Sequence, residues 1–415
     1  MRPLRTWLVA SIAVLAALGT SEVRADSPEQ LRTFYFGNSF TGNTMPGLHP
    51  LLAKSAMKQW TVEASIHAGV PIWVHMKNLI DGGRDYQKFQ SAAPKTDAIV
   101  MLIFGGEGVS SVVTEKWQGK VKFDQPTDIG DVAACTYIIR EYLKLNPKGR
   151  AYIYTAWPGI PSVRGLQARI QEAAIQSAMR PGEKRRDVMQ RITIREPSHE
   201  EMQPLRKSFD YSARWLQQYD PANPQGNTHC RAHMYAVMEG LKKNFPELWQ
   251  AGRLGMIPVG DVFLELDKKM RAGQMPGLVN IGEFYADGLH LRSGLPRYTL
   301  AATYYAVLFR DDPATVDWRI YQDRGNYESG KYGFYVHQPD LGVHLDITPE
   351  RAKVVNQTIW DVVEDHPYTG IFSRKQTPED AKAEVTGQPS EIDSRVTSVR
   401  QTGSDDLQAP KRMQC

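Results

Sequence analysis

Cysteine is scarce in this chain. Cys135, Cys230 and Cys415 are the three in 415 residues, and none stands in a CxxC spacing. That excludes thiolate zinc ribbons and thioredoxin-type dithiol chemistry. An excess of one charge is lacking too. The formal net charge is +4, and setting aside residues 1–25, with three arginines and one glutamate, leaves +2. So balanced a chain carries no electrostatic footprint for nucleic acid or an acidic membrane. Beyond residue 25 there is no apolar run long enough to span a bilayer and no internal repeat. The glycine-rich stretch Gly105-Gly106-Glu107-Gly108 lacks the lysine of a phosphate-cradling P-loop.

What is present begins with an export pattern. Arg2 and Arg5 precede the apolar run WLVASIAVLAAL at 7–18, and Val23 and Ala25 put small residues at the −3 and −1 positions of a cleavage site. These features predict a secretory signal over residues 1–25, removed to leave a periplasmic or extracellular protein with no stable membrane insertion. No cysteine follows the run, which argues against a lipid anchor. Export would permit a disulfide between Cys135 and Cys230.

The rest is globular in composition, with 41% hydrophobic and 10% aromatic residues. Short runs rich in Ile, Val, Tyr and Phe at 32–36, 60–66, 97–104, 150–156 and 254–259 read as strands. Helical spacing separates them, over 46–58, 128–145, 231–245, 296–310 and 349–366. Strands alternating with helices predict an α/β fold, a three-layer α/β/α sandwich with a mainly parallel five-stranded sheet. It is expected to occupy residues 26–372. The polar stretch 161–230 reads as a partly helical insertion between the fourth and fifth strands, either a substrate wall or a solvated decoration. The polar segment 373–415 reads as a disordered tail.

In open α/β sheets ligands bind beyond the carboxyl ends of the strands. The first strand runs out through FYFGNSFTGN, which presents Ser39, and the second through His67-Ala68-Gly69. The third is followed by Gly105 to Gly108, the fourth by Trp157-Pro158-Gly159 and the fifth by Gly260-Asp261. A further cluster, YADGLHLRSG at 285–294, carries Asp287 and His290 just before a helix. A serine hydroxyl is a weak nucleophile and needs a base within hydrogen-bond reach and donors aimed at the developing oxyanion. Ser39, His290 and Asp287 could supply nucleophile, base and orienting carboxylate. Tyr154 and Trp157 fit either sugar stacking or core packing, core packing the better. His67 and His75 stand in no metal-ligand spacing.

Gly37-Asn38-Ser39 after a first strand, with Asp287-Gly288-Leu289-His290 far downstream before an apolar helix, resembles the SGNH (GDSL-type) hydrolase superfamily over about residues 30–310, the insertion excepted. The Gly-x-Ser-x-Gly elbow of α/β-hydrolases does not fit, because position 41 is threonine. The resemblance implies the flavodoxin-like sandwich, a Ser39–His290–Asp287 triad and an acyl-enzyme, with no cofactor and no metal. It also implies an oxyanion hole built from the N–H groups of Ser39 and Gly69 and from a third block that in the family reads Gly-x-Asn-Asp. Here Gly106 and Glu107 occupy that block, and Glu107 stands at the asparagine. An ionised carboxylate cannot donate to an oxyanion. Either Glu107 is held protonated, or it points away while the Gly106 or Glu107 N–H takes over, or the site is impaired. Resemblance and export together imply a carbohydrate esterase acting on a small-molecule or glycan ester. A binding protein using the same cleft, or an acyltransferase, are the alternatives.

Overall fold

The computed structural model describes residues 27–104, 130–219, 229–328 and 344–371. The export segment, the 105–108 loop with Gly106 and Glu107, and the 373–415 tail lie outside the described residues. The chain divides into two units, Met1–Phe372 and Ser373–Cys415.

Five strands form the sheet: β1 Gln30–Gly37, β2 Gln59–Ile66, β3 Ala98–Ile103, β4 Arg150–Thr155 and β5 Leu254–Ile257. Their order is β2-β1-β3-β4-β5, and every pairing is parallel. Central β3, AIVMLI, is buried at all six positions, as a strand covered on both faces must be. Edge strand β2 alternates exposed with buried or half-buried residues from Gln59 to Ala64.

Side-chain alternation along β1 shows the two covering layers. Phe34 and Phe36 pack on Phe89, at ring separations of 5.5 and 5.2 Å, so the helices Ile72–Ile80 and Arg84–Ala92 lie on their face. Tyr35 points the other way, onto Tyr304 at 5.5 Å, and Tyr154 of β4 reaches the same ring at 4.9 Å. That face carries the helix Leu295–Phe309, all of whose residues are buried. The three-layer sandwich is therefore as expected. Strand order reverses direction between β1 and β3, the switch point where open α/β sheets hold ligands. Ser39 follows β1 at that point.

Two details differ from the sequence reading. The fifth strand stops at Ile257 instead of 259, because Pro258 has no N–H for the ladder and caps the helix Val259–Arg271. Asp261 thus lies inside a helix, where it accepts from the Trp215 indole at 3.0 Å. Cys135 and Cys230 are both buried thiols, and the disulfide that export would permit does not join them. The insertion is largely helical, over Pro161–Ala178, Arg185–Arg191, His199–Lys207 and Tyr211–Trp215. No helix among the described residues is long and apolar enough to cross a membrane.

Candidate active site

β1 ends at Gly37 because the chain folds straight back. A Cβ there would lie 2.6 Å from the Thr41 Cβ, so only glycine admits the short helix Ser39–Asn43. Asn38 caps that helix in extended conformation, its Oδ1 accepting the Phe40 N–H at 2.9 Å. Its Nδ2 donates to the Val70 carbonyl at 3.0 Å, which ties the turn after β2 to the turn after β1. Ser39 is the first helical residue, so its N–H has no intrahelical acceptor and remains available to a ligand.

The Asp287–His290 segment is a tight loop. Tyr285 and Leu291 pair in an antiparallel bridge, and the Ala286 N–H donates to the His290 carbonyl at 2.8 Å. Asp287 organises the loop from within. Its Oδ1 accepts the backbone N–H groups of Leu289 at 2.6 Å and His290 at 2.7 Å. Its Oδ2 accepts from His290 Nδ1 at 2.8 Å. With Nδ1 protonated toward the carboxylate, Nε2 is the acceptor, and it faces Ser39 Oγ at 3.0 Å. Ser39, His290 and Asp287 thus form one hydrogen-bonded chain across 251 residues of sequence. The structure brings these three sequence-predicted residues together.

Electrostatics favour this protonation pattern. Burial pushes the Asp287 carboxyl upward, but the His290 ring and the two backbone N–H groups hold it below the usual carboxylate range. Asp287 is therefore an anion when His290 acquires a proton. The Asp287 and His290 side chains are 16% and 23% exposed, enough shelter to strengthen the pair while leaving the imidazole reachable.

The loop is braced from two sides. From the segment that follows β4, Trp157 Nε1 donates to the Leu289 carbonyl at 3.0 Å and the Ile160 N–H to the Gly288 carbonyl at 2.8 Å. Tyr285 Oη donates to the Pro158 carbonyl at 2.6 Å. The Trp157 ring stacks on Phe40 at 4.3 Å and 8° and is fully buried, so it is core packing and not a sugar platform. Gly288 is required for this docking, since a Cβ would come within 2.6 Å of the Arg164 Cγ. From the Ser39 side, Asn43 Nδ2 donates to the Ser39 carbonyl at 2.9 Å while its Oδ1 accepts the Leu291 N–H at 2.7 Å. One buried asparagine therefore fixes the serine turn relative to the histidine loop.

Gly69 adopts φ +67°, with open space where a side chain would project. The turn that holds it is clamped on both sides: the His67 N–H donates to the Gly37 carbonyl at 3.0 Å, and Asn38 holds Val70. His75, buried, donates from Nε2 to the same Gly37 carbonyl at 3.0 Å. His67 pairs with Asp85 at 2.5 Å. Among the described residues no three His, Cys, Asp or Glu side chains converge as metal ligands would.

No protein-family model matches the chain, and no curated protein matches it. A DUF4886 family protein from Bacteroides uniformis is 12% identical and covers 80% of this chain and 95% of its own, at a TM-score of 0.40. A protein from Slackia heliotrinireducens, proposed to be an SGNH hydrolase, is 16% identical over 69% of this chain and 98% of its own, at 0.31. A lipase/acylhydrolase from Enterococcus faecalis is 15% identical over 69% and 97%, at 0.30. At such scores these likenesses carry no argument about activity, which rests on the geometry.

Sequence reasoning missed Asn43, and it weighed His75 only as a metal ligand and not as the donor to the Gly37 carbonyl. Asn43 lies four residues beyond Ser39 in a Gly-rich turn, where asparagine reads as a turn former. The i, i+4 spacing from Ser39 is the one signal that could have singled it out.

Proposed function

We propose that this chain is a serine esterase of the SGNH type. The observation that carries the reading is the 3.0 Å approach of Ser39 Oγ to a His290 whose other nitrogen is held by Asp287. A displaced serine would have favoured a binding role. In the mechanism His290 Nε2 takes the Ser39 proton as Oγ attacks an ester carbonyl. Asp287 keeps the imidazole in the accepting tautomer and stabilises the imidazolium that forms. The N–H groups of Ser39 and Gly69 receive the oxyanion. His290 then returns its proton to the departing alkoxide. It next deprotonates a water that attacks the acyl-enzyme, so that an acid leaves and Ser39 Oγ is reprotonated. No step calls for a cofactor or metal.

Within that class we propose an O-acetyl ester on a carbohydrate as substrate and an exported site of action, on the basis of the motif resemblance taken together with the N-terminal basic and apolar pattern. The test is acetate release by purified protein from an aryl acetate and from a panel of O-acetylated glycans, wild type beside Ser39→Ala. Release that disappears with Ser39 is expected. Equal rates in both proteins would refute the reading.

A further inference from the structure

In the proposed mechanism the Gly69 N–H receives the oxyanion. Gly69 is exposed, at φ +67°, and has no side chain with which to fix itself. An oxyanion donor works by being preorganised, so the residues flanking this turn must set its place. On one flank Val70 is held by Asn38. On the other His67 is held twice. Its N–H donates to the Gly37 carbonyl at 3.0 Å, and its ring Nε2 meets Asp85 Oδ2 at 2.5 Å.

Asp85 is itself well anchored. It stands in the first turn of the helix Arg84–Ala92, which Phe89 pins to the sheet against Phe34 and Phe36. Asn78 Nδ2, from the preceding helix, donates to the same Oδ2 at 3.3 Å. From His67 the bonds continue inward, and their direction is determined. Burial pushes His75 down to about 4, so its ring is neutral, and Nε2 donates to the Gly37 carbonyl at 3.0 Å. Nδ1 is then an acceptor and takes the Ser65 hydroxyl proton at 3.3 Å. The Ser65 oxygen turns its lone pairs to His67 Nε2, also 3.3 Å away, so that nitrogen carries a proton facing Ser65 and Asp85. A carboxylate in the helix layer is thereby linked to the Gly37 carbonyl, two residues before Ser39.

We propose that Asp85 is a positioning residue of the active site, acting through the His67 ring to hold the Gly69 N–H in register with that of Ser39. The His67 and Asp85 side chains are 40% and 21% exposed, and an ion pair so near solvent adds little to stability. Its effect falls on the rate, because a donor displaced from the developing charge loses most of its value. The inference rests on the esterase reading and on Gly69 as a donor within it.

The test is steady-state hydrolysis of an aryl acetate by the full chain. Wild type is compared with Asp85→Ala, Asp85→Asn, His67→Ala and the double variant Asp85→Ala/His67→Ala, with Tm measured on each. Asp85→Ala is expected to lower kcat about tenfold or more, with KM within about twofold and Tm nearly unchanged. Asp85→Asn keeps an oxygen that accepts the His67 proton and should recover most of that kcat. The double variant should be no slower than the slower single variant, since both changes remove one contact. Four results overturn the proposal while leaving hydrolysis by Ser39 intact. They are a kcat for Asp85→Ala within about twofold of wild type, an Asp85→Asn as slow as Asp85→Ala, losses that multiply in the double variant, and a rate loss matched by a large fall in Tm. A wild type without activity overturns the esterase reading and this inference with it.

Discussion

Replacing Asp287 with asparagine separates the orienting role of this residue from its role in folding the loop. Asn keeps an oxygen that can accept the Leu289 and His290 N–H groups, now bonded at 2.6 and 2.7 Å, so the loop should persist. Its amide nitrogen, however, then faces His290 Nδ1, where a carboxylate oxygen accepts at 2.8 Å. An amide can only donate there. The imidazole must therefore carry its proton on Nε2, directed at Ser39 Oγ, and in that tautomer it cannot act as base. The anion that stabilises the imidazolium is lost as well. In a serine protease triad the same aspartate-to-asparagine change costs about 10⁴ in kcat. Here we expect a loss of about 10³–10⁴ in kcat/KM, equivalent to about 4–5.5 kcal/mol of transition-state stabilisation. The assay is aryl acetate hydrolysis under kcat/KM conditions, with Tm measured alongside. A drop smaller than tenfold with an unchanged Tm would refute the argument that Asp287 sets the tautomer.

Three further outcomes follow from the same geometry. Asn43→Ala removes the link between the Ser39 carbonyl and the Leu291 N–H and leaves a buried donor unpaired. It should cost about 1–3 kcal/mol in chemical denaturation and lower kcat by tenfold or more, while retained activity would show that the serine turn needs no such tie. Gly288→Ala drives a Cβ to 2.6 Å from the Arg164 Cγ and 3.0 Å from its backbone nitrogen. It should displace the histidine loop and cut kcat more than stability, and an unaffected rate would contradict the docking. Burial pushes His75 down to about 4 and His49 to about 3, so both are neutral in the fold. The unfolded chain binds their protons at the ordinary value near 6.5. Their contribution is therefore complete above about pH 6.5 and is lost as pH falls toward 4, by up to about 1.4 kcal/mol per pH unit for each. His75→Gln should flatten the stability slope in that window by about one proton, and an unchanged slope would count against a neutral His75.

The strands were legible because most are short runs of β-branched and aromatic residues, and AIVMLI in particular has no polar position to give a second reading. Ser39, Asp287 and His290 were legible by order and context: a serine leaving the first strand, and a histidine three residues after an aspartate ahead of an apolar helix. What the sequence did not disclose are contacts between distant segments. Asn43 faces Leu291 across 248 residues, and Arg206 reaches Ala286 from an insertion whose polar composition reads as solvated surface. Trp157 could have been a sugar platform until Phe40 was found stacked on it. The turn that carries Gly69 is held at Val70 by Asn38, a contact between two segments that neither shows alone.

The central claim is that Ser39 is a nucleophile activated by His290. Its most direct test is reaction of the folded protein with a fluorophosphonate, followed by intact mass and peptide mapping. The account predicts one adduct, on the peptide containing FYFGNSFTGN, absent from Ser39→Ala and strongly slowed in His290→Ala. No adduct on the wild type, or one that persists on another residue when Ser39 is replaced, would contradict it.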